Sequence, residues 1–321
     1  MFEQEENPVL RETVNLFTAV CLLMGLFGMQ AARAQTTPPP GHALGSAPCI
    51  WAAPVQGKDQ ALDVAAVIHA LQENRFDCVA QFIDSEPPHT WAEFQRLLSA
   101  AQPAGISVWA ILIPPSEGAT SLPYRTDYLG WMKELAKLSL QYPNLRGVSI
   151  DDLFSNISYQ TFTPEYLRRL YKAKQEINPR LLFVPVIYEL DAEVAERLAG
   201  CVDGVWLWWL NMEIVGGMRS HFENSRRVVQ GRFPIYAGVY GHSTLFHPQG
   251  GPIPKVLRRS LEIACQYADG AVIFNLPLAP KSSDEATLLS TARTFAPGGS
   301  AELAGQCGLG SPRPRPRDEP Q

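Results

Sequence analysis

The sequence predicts an α/β fold: a single (β/α)8 barrel with an N-terminal signal peptide and a disordered C-terminal tail. Three observations carry this. Short apolar runs alternate eight times with amphipathic stretches, over about 250 residues, the usual size of such a barrel. The runs are apolar without strict alternation, as strands covered on both faces by helices must be. No Gly-x-Gly-x-x-Gly or P-loop follows the first run, where Trp51-Ala52-Ala53-Pro54 stands instead, so an open nucleotide-binding sheet is the weaker reading.

Residues 1–34 read as a signal peptide. Leu16 to Met29 is an apolar run too short to span a bilayer comfortably, and Ala32-Arg33-Ala34 supplies a small-x-small cleavage site. The leader holds Glu3, Glu5 and Glu6 against Arg11, so an uncleaved signal-anchor or a misplaced start is the competing reading. Export to the periplasm or beyond is expected, with no stable membrane insertion after cleavage. Residues 35–46, with Pro38-Pro39-Pro40, read as a linker, and the barrel is expected over 47–296. Residues 297–321 carry Pro312-Arg313-Pro314-Arg315-Pro316-Arg317, which forms neither helix nor sheet interior.

The expected strands are Cys49 to Ala53, Cys78 to Ile83, Val108 to Ile113, Gly147 to Asp151, Leu181 to Tyr188, Gly204 to Trp209, Ile235 to Tyr240 and Ala271 to Asn275. The expected helices lie near Ala61 to Glu73, Trp91 to Ala100, Thr126 to Tyr142, Pro164 to Glu176, Ala192 to Ala199, Gly217 to Val229, Lys255 to Tyr267 and Asp284 to Phe295. Thr163-Pro164 reads as an N-cap followed by a first-turn proline. An oxidising compartment permits disulfides. Cys49 and Cys78 open two neighbouring strands and are the best candidate pair, the plainer alternative being two small buried apolar side chains.

Composition narrows the function classes. A formal charge of −5 gives no electrostatic reason to expect nucleic acid. No histidine pair has zinc spacing and no Cys-x-x-Cys exists, so neither a structural metal nor a cofactor is expected. Oligomeric state is open.

In such a barrel the chemistry sits at the C-terminal ends of the strands. The fourth strand ends in Asp151-Asp152. Carboxylates are expensive to bury without partners, so two acids at the end of a core strand mark its opening into a polar pocket. Alternation puts Gly147, Ser149 and Asp151 on the barrel axis, and Val148 and Ile150 toward the helices. Glu189, after the neighbouring fifth strand, is expected within reach of Asp151. Two carboxyls flanking a bond are the minimum machinery of glycoside hydrolysis. Asp151, Asp152 and Glu189 are therefore the candidate catalytic residues. The other strand ends are aromatic or polar, as sugar recognition requires: Trp51, Gln81, Trp109, Tyr188, Trp208, Tyr240, His242 and Asn275 are the candidate substrate-binding residues. Plainer roles compete: an Asp-Asp turn, helix capping by Glu189 and Asp191, tryptophans as core.

Leu145 to Phe154 resembles the fourth-strand signature of glycoside hydrolase barrels. Against the Gly-apolar-Asp-apolar-Asp-x-Glu pattern of the family 18 chitinases, Asp151 matches the last aspartate, Ser149 replaces the middle one and Leu153 stands in the place of the glutamate. The segment is also similar to α-galactosidase-like barrels, where an aspartate ending the fourth strand is the nucleophile; their acid comes from the sixth-strand region, here Trp208-Trp209-Leu210-Asn211. The Asn-Glu of the large β-glycosidase clan has no counterpart. The resemblance implies an exported glycoside-hydrolase-like barrel acting on a polysaccharide or glycoconjugate. A non-catalytic carbohydrate-binding barrel, or a metal-dependent hydrolase using Asp151, Asp152 and Glu189, are the alternatives.

Overall fold

The computed structural model describes residues 47–57, 59–155, 157–210, 215–241 and 253–299. The expected signal peptide, the linker, His242 and all but the first three residues of the expected tail lie outside them. No described helix is long and apolar enough to cross a membrane.

All sheet pairings are parallel. The strands are β1 (Cys49–Ala52), β2 (Cys78–Ile83), β3 (Ser107–Leu112), β4 (Leu145–Ile150), β5 (Leu182–Phe183), β6 (Val186–Ile187), β7 (Val205–Trp208), β8 (Ile235–Tyr240) and β9 (Ala271–Leu276). The lateral order runs β5-β4-β3-β2-β1-β9-β8-β7-β6. Its two ends are halves of the one strand expected over 181–188. Proline at 185 brings no N–H to the ladder and splits it. The first half pairs with β4 and the second with β7, and the ring continues through Val184 N to Val148 O (3.0 Å) and Trp206 N to Pro185 O (2.9 Å). Eight strand positions thus close a (β/α)8 barrel.

Around it lie α1 (Val64–Glu73), α2 (Trp91–Ala101), α3 (Tyr128–Gln141), the one-turn α4 (Ser158–Thr161), α5 (Pro164–Ile177), α6 (Ala192–Leu198), α7 (Val215–Val229), α8 (Ile253–Tyr267) and α9 (Ser283–Arg293). Their starts are set by side chains that accept from otherwise unpaired N–H groups. Thr163 caps α5 ahead of Pro164, and Thr90 and Glu93 form a reciprocal capping box on α2.

Strand alternation sorts the core into two layers. Ile50, Val79, Val108, Val148, Ile150, Ile187, Leu207, Ala237 and Ile273 face the helices. Cys49, Trp51, Cys78, Ala80, Trp109, Ile111, Val184, Val186, Trp206, Trp208, Tyr236, Tyr240 and Val272 fill the interior. The interior is crowded with indoles, and glycines make room for them. A β-carbon on Gly147 would lie 2.2 Å from Trp109 Cζ3, and one on Gly238 2.1 Å from Trp208 Cδ2. Cys49 and Cys78, both inward and wholly buried, form a disulfide across β1 and β2 with Cα atoms 4.6 Å apart. Cys201 is a buried free thiol.

Two aspartates close the N-terminal end by one repeated device. Asp203, before β7, exchanges hydrogen bonds with Phe183: its Oδ2 accepts from Phe183 N (2.8 Å) and its N–H donates to Phe183 O (2.9 Å). Asp269, before β9, does the same with Ile235, at 2.8 Å both ways. Each carboxylate also meets a helix cation, Lys174 at 2.6 Å and Arg226 at 2.8 Å. This face is built for stability, as the lower face of a barrel normally is.

Candidate active site

The C-terminal face opens differently. Val148 and Ile150 lie among the helices, so Ser149 and Asp151 face the axis. Asp151 continues the β4 ladder through its N–H to Leu112 O (3.0 Å). The chain then turns. Asp152 adopts a left-handed backbone (φ 43°), which aspartate tolerates better than most residues, and its N–H donates to Oδ1 of Asp151 at 3.1 Å. The two carboxyls are thereby held side by side.

Tyr188 follows β6 with the inward parity of Val184 and Val186 and donates its hydroxyl hydrogen to Asp152 Oδ1. A third carboxyl comes from the loop after β3: Glu117 reaches Asp152 and also acts on Asp151. That loop is anchored by Ser121 Oγ accepting from Ile113 N (3.0 Å), Tyr128 Oη donating to Ile113 O (2.7 Å), and Ser158 Oγ donating to Ser116 Oγ (3.2 Å). The loop following Ile113 is identifiable in the sequence as part of the rim; a lone Glu between Ser116 and Gly118 has no periodicity to single it out.

Electrostatics follow from this crowding. Burial, then the neighbouring Asp152 and Glu117, pushes the Asp151 carboxyl well above the ordinary carboxylate range. Burial also raises Asp152, but the hydrogen bonds from Tyr188 and Glu117 pull it back. Both carboxyls are thus raised, Asp151 well above the ordinary range, and the two neighbours titrate as a pair. Burial and the aspartates push the phenols of Tyr188 and Tyr240 up, so both stay neutral donors.

Aromatic rings make the floor. Trp51 is central, 4.7 Å from Phe82, 5.0 Å from Phe274 and 6.0 Å from Trp208, centroid to centroid. Tyr240 lies 5.2 Å from Trp208 and feels both aspartates. Phe82 and Phe274 are partly buried and complete this floor, although the run-by-run reading of strand ends passes over them.

The remaining candidates fall elsewhere. Trp109 is wholly buried against Trp206 (5.3 Å) and Gly147, a layer below the floor, and presents no face to a ligand. Gln81 has outward parity with Val79 and Ile83; its Nε2 lies 2.8 Å from His89 Nδ1 and 3.3 Å from Pro88 O, so it holds the loop after β2. Glu189 is one residue past Tyr188 and so has the opposite parity. It is exposed and its carboxylate acts on His221, while the third acid beside the aspartates is Glu117. Asp191, the neighbouring acid, caps α6 through Val194 N. Asn275 is the extra residue of a β-bulge between β1 and β9, with φ 57°. Among the described residues no group of three or more histidine, cysteine or acidic side chains is placed to hold a metal ion.

No family model matches this chain, and no curated protein matches it. Solved structures do. An endocellulase from Pyrococcus horikoshii, in complex with cellotetraose, superposes with TM-score 0.53 at 10% identity, over 76% of this chain and 91% of its own. Thermotoga maritima Cel5A, in complex with cellobiose, gives 0.53 at 14%, over 78% and 95%. Bacteroides uniformis beta-glucuronidase 2 gives 0.51 at 13%, over 71% of this chain but 31% of its own, so this chain spans about a third of that protein. The chain has the TIM-barrel fold of these proteins. At these identities the likeness is one of fold. The TIM barrel carries its acids where this architecture places its chemistry, at the ends of the strands.

Proposed function

We propose that the chain is an exported glycoside hydrolase acting on a polysaccharide or glycoconjugate. The observation that carries this reading is the Asp151–Asp152 pair at the C-terminal end of β4, in surroundings that raise both carboxyls, Asp151 the more strongly. Separated affinities are what acid–base division of labour requires. Asp151, protonated, gives its proton to the leaving glycosidic oxygen. Asp152, ionised and oriented by Tyr188, attacks the anomeric carbon or takes the proton of an attacking water; Glu117 steadies the pair. Phe82 and Phe274, the partly buried rings resting on Trp51, take the C–H face of the sugar ring. The Cys49–Cys78 disulfide suits an oxidising compartment and supports export.

A second reading, a carbohydrate-binding barrel without turnover, is favoured by one observation: Asp151 and Asp152 are consecutive residues, whereas hydrolysis needs carboxyls on opposite sides of the bond, ~5 Å apart or more. Asp151→Asn and Asp152→Asn, assayed on a panel of polysaccharides, decide between them. Loss of about 10²–10⁴ in turnover with oligosaccharide binding retained supports the hydrolase. Binding without turnover in the unmodified protein supports the second reading.

A further inference from the structure

A titratable side chain that the proposed mechanism does not use stands at the end of β2. His89 closes the loop there: its carbonyl accepts from Asp84 N (2.6 Å), its N–H donates to Glu86 O (2.9 Å), and the next residue, Thr90, caps α2. The backbone that carries the imidazole is held on both sides. The ring is half-buried and lies 5.8 Å from Phe82, at 80° to it; Phe82 in turn lies 4.7 Å from Trp51. His89 thus borders the aromatic floor.

Gln81 fixes which nitrogen of that ring carries the proton. Its Nε2 is 2.8 Å from His89 Nδ1 and 3.3 Å from Pro88 O. A backbone carbonyl only accepts, so the amide nitrogen is the atom turned this way, and an amide nitrogen only donates. His89 Nδ1 is then the acceptor, and the ring proton sits on Nε2. Burial works in the same direction, lowering the His89 pKa against the opposing pull of Asp84 and Glu93. Nε2 makes no hydrogen bond among the described residues and is not one of their enclosed unpaired atoms, so its N–H meets solvent. A neutral imidazole with its donor outward, on a fixed loop beside aromatic rings, can orient a polyhydroxylated ligand.

Resting on the hydrolase reading above, we propose that His89 is a substrate-binding residue: its Nε2–H donates to a hydroxyl oxygen of the sugar that lies against Phe82, and Gln81 is the positioning residue that keeps the proton on Nε2. Gln81, a candidate for touching the sugar itself, acts through the imidazole instead. A neutral N–H meets a neutral hydroxyl without the desolvation that a charged partner costs, so the sugar ring at this point is uncharged.

The test is nitrogen-15 NMR of the histidine rings in the full chain, free and titrated with tetramers of β-1,4-linked glucose, mannose, galactose, xylose and N-acetylglucosamine, beside calorimetry of the same titrations. The His89 ring is identified by its contacts with Phe82. It should show the Nε2–H tautomer near neutral pH, and the Nε2–H signal should move with whichever tetramer binds. Gln81→Leu should leave a mixture of tautomers; a single Nε2–H form there removes Gln81 from its role. His89→Phe keeps a ring beside Phe82 and should weaken that tetramer by about 3–10-fold, the worth of one neutral hydrogen bond, while His69→Phe, exposed on α1, leaves binding unchanged. An Nδ1–H or doubly protonated His89 in the free protein, or an Nε2–H signal that stays still as a tetramer saturates, overturns the proposal and leaves the hydrolase reading standing. These two readings use the unmodified protein and decide even where His89→Phe fails to fold. If no tetramer is bound or cleaved, both the proposal and the hydrolase reading fall.

Discussion

The hydroxyl of Tyr188 donates its hydrogen to Oδ1 of Asp152, a bond made across two strand ends by residues 36 positions apart. It stabilises the ionised form of Asp152 against the burial that raises it. Tyr188→Phe keeps the ring and removes only that donor. The Asp152 carboxyl then rises further and, on the hydrolase reading proposed above, the acidic limb of the kcat/KM profile moves to higher pH. The alkaline limb, set by loss of the Asp151 proton, stays in place. A hydrogen bond to a charged group contributes ~1.5–3 kcal/mol, so activity on the acidic side should fall by about 10-fold or more. An unmoved acidic limb would remove Asp152 from the role of base or nucleophile.

Asp151 should weaken the fold that holds it. Its carboxyl titrates well above the ordinary range because it is buried beside Asp152 and Glu117. In the unfolded chain it ionises near the usual pKa of ~3.9. A folded value above the unfolded one means that stability is intact below about pH 4 and declines as pH rises toward the folded value. Asp151→Asn removes that loss. Thermal unfolding should shift upward at pH 7, by roughly 2–4 °C for each 1 kcal/mol recovered in a domain of this size, and the gain should vanish near pH 3. A variant destabilised at pH 7 would show the carboxyl to be a structural anchor.

The barrel is legible in the sequence because period and spacing are local signals: the strands and helices expected from apolar runs and caps recur in the structure within a few residues. The fifth strand is the instructive departure, since an apolar run over 181–188 does not reveal that Pro185 divides its ladder between two neighbours. At the site, parity places Asp151 on the axis from the pattern of β4 alone. The same parity separates Tyr188 from Glu189, so proximity of strand ends is insufficient without counting faces. Trp109 resembles a platform by residue type, but its depth in the barrel is fixed by register with Gly147 across β3 and β4. Glu117 depends on where a loop folds back, which no strand pattern encodes.

The device at the N-terminal end makes an asymmetric prediction. Lys174 is wholly buried, with Nζ 2.6 Å from Asp203 Oδ2 and 4.4 Å from the centre of the Tyr171 ring. Asp203 also accepts from Tyr171 Oη and Phe183 N, both at 2.8 Å, and keeps some exposure. Asp203→Ala strands a buried ammonium and two donors, and should cost about 3–5 kcal/mol in urea unfolding. Lys174→Met leaves a carboxylate that retains both donors, and should cost about 1–2 kcal/mol. The opposite order would mean that the aspartate, not the lysine, is the worse group to leave behind.

Gly147 and Trp109 are coupled across β3 and β4, where they are register partners. The glycine is needed for its missing side chain, not for its backbone: any β-carbon there would intrude on the six-membered ring of Trp109 at 2.2–2.6 Å. Trp109 cannot retreat, because it is enclosed and lies 5.3 Å from Trp206. Gly147→Ala should therefore destabilise by about 3 kcal/mol, at the upper end of overpacking, even though alanine suits a strand better than glycine. Trp109→Leu alone should destabilise through the cavity it leaves, by ~3 kcal/mol. Together the two changes should cost clearly less than their sum, because the alanine methyl enters space that the indole has vacated. The double-mutant cycle, read by urea unfolding, gives a coupling of opposite sign to the single effects if the contact is the cause. Strict additivity would show that the glycine answers to the β4 backbone instead, and would loosen the assignment of Asp151, two strand-alternations further on, to the barrel axis.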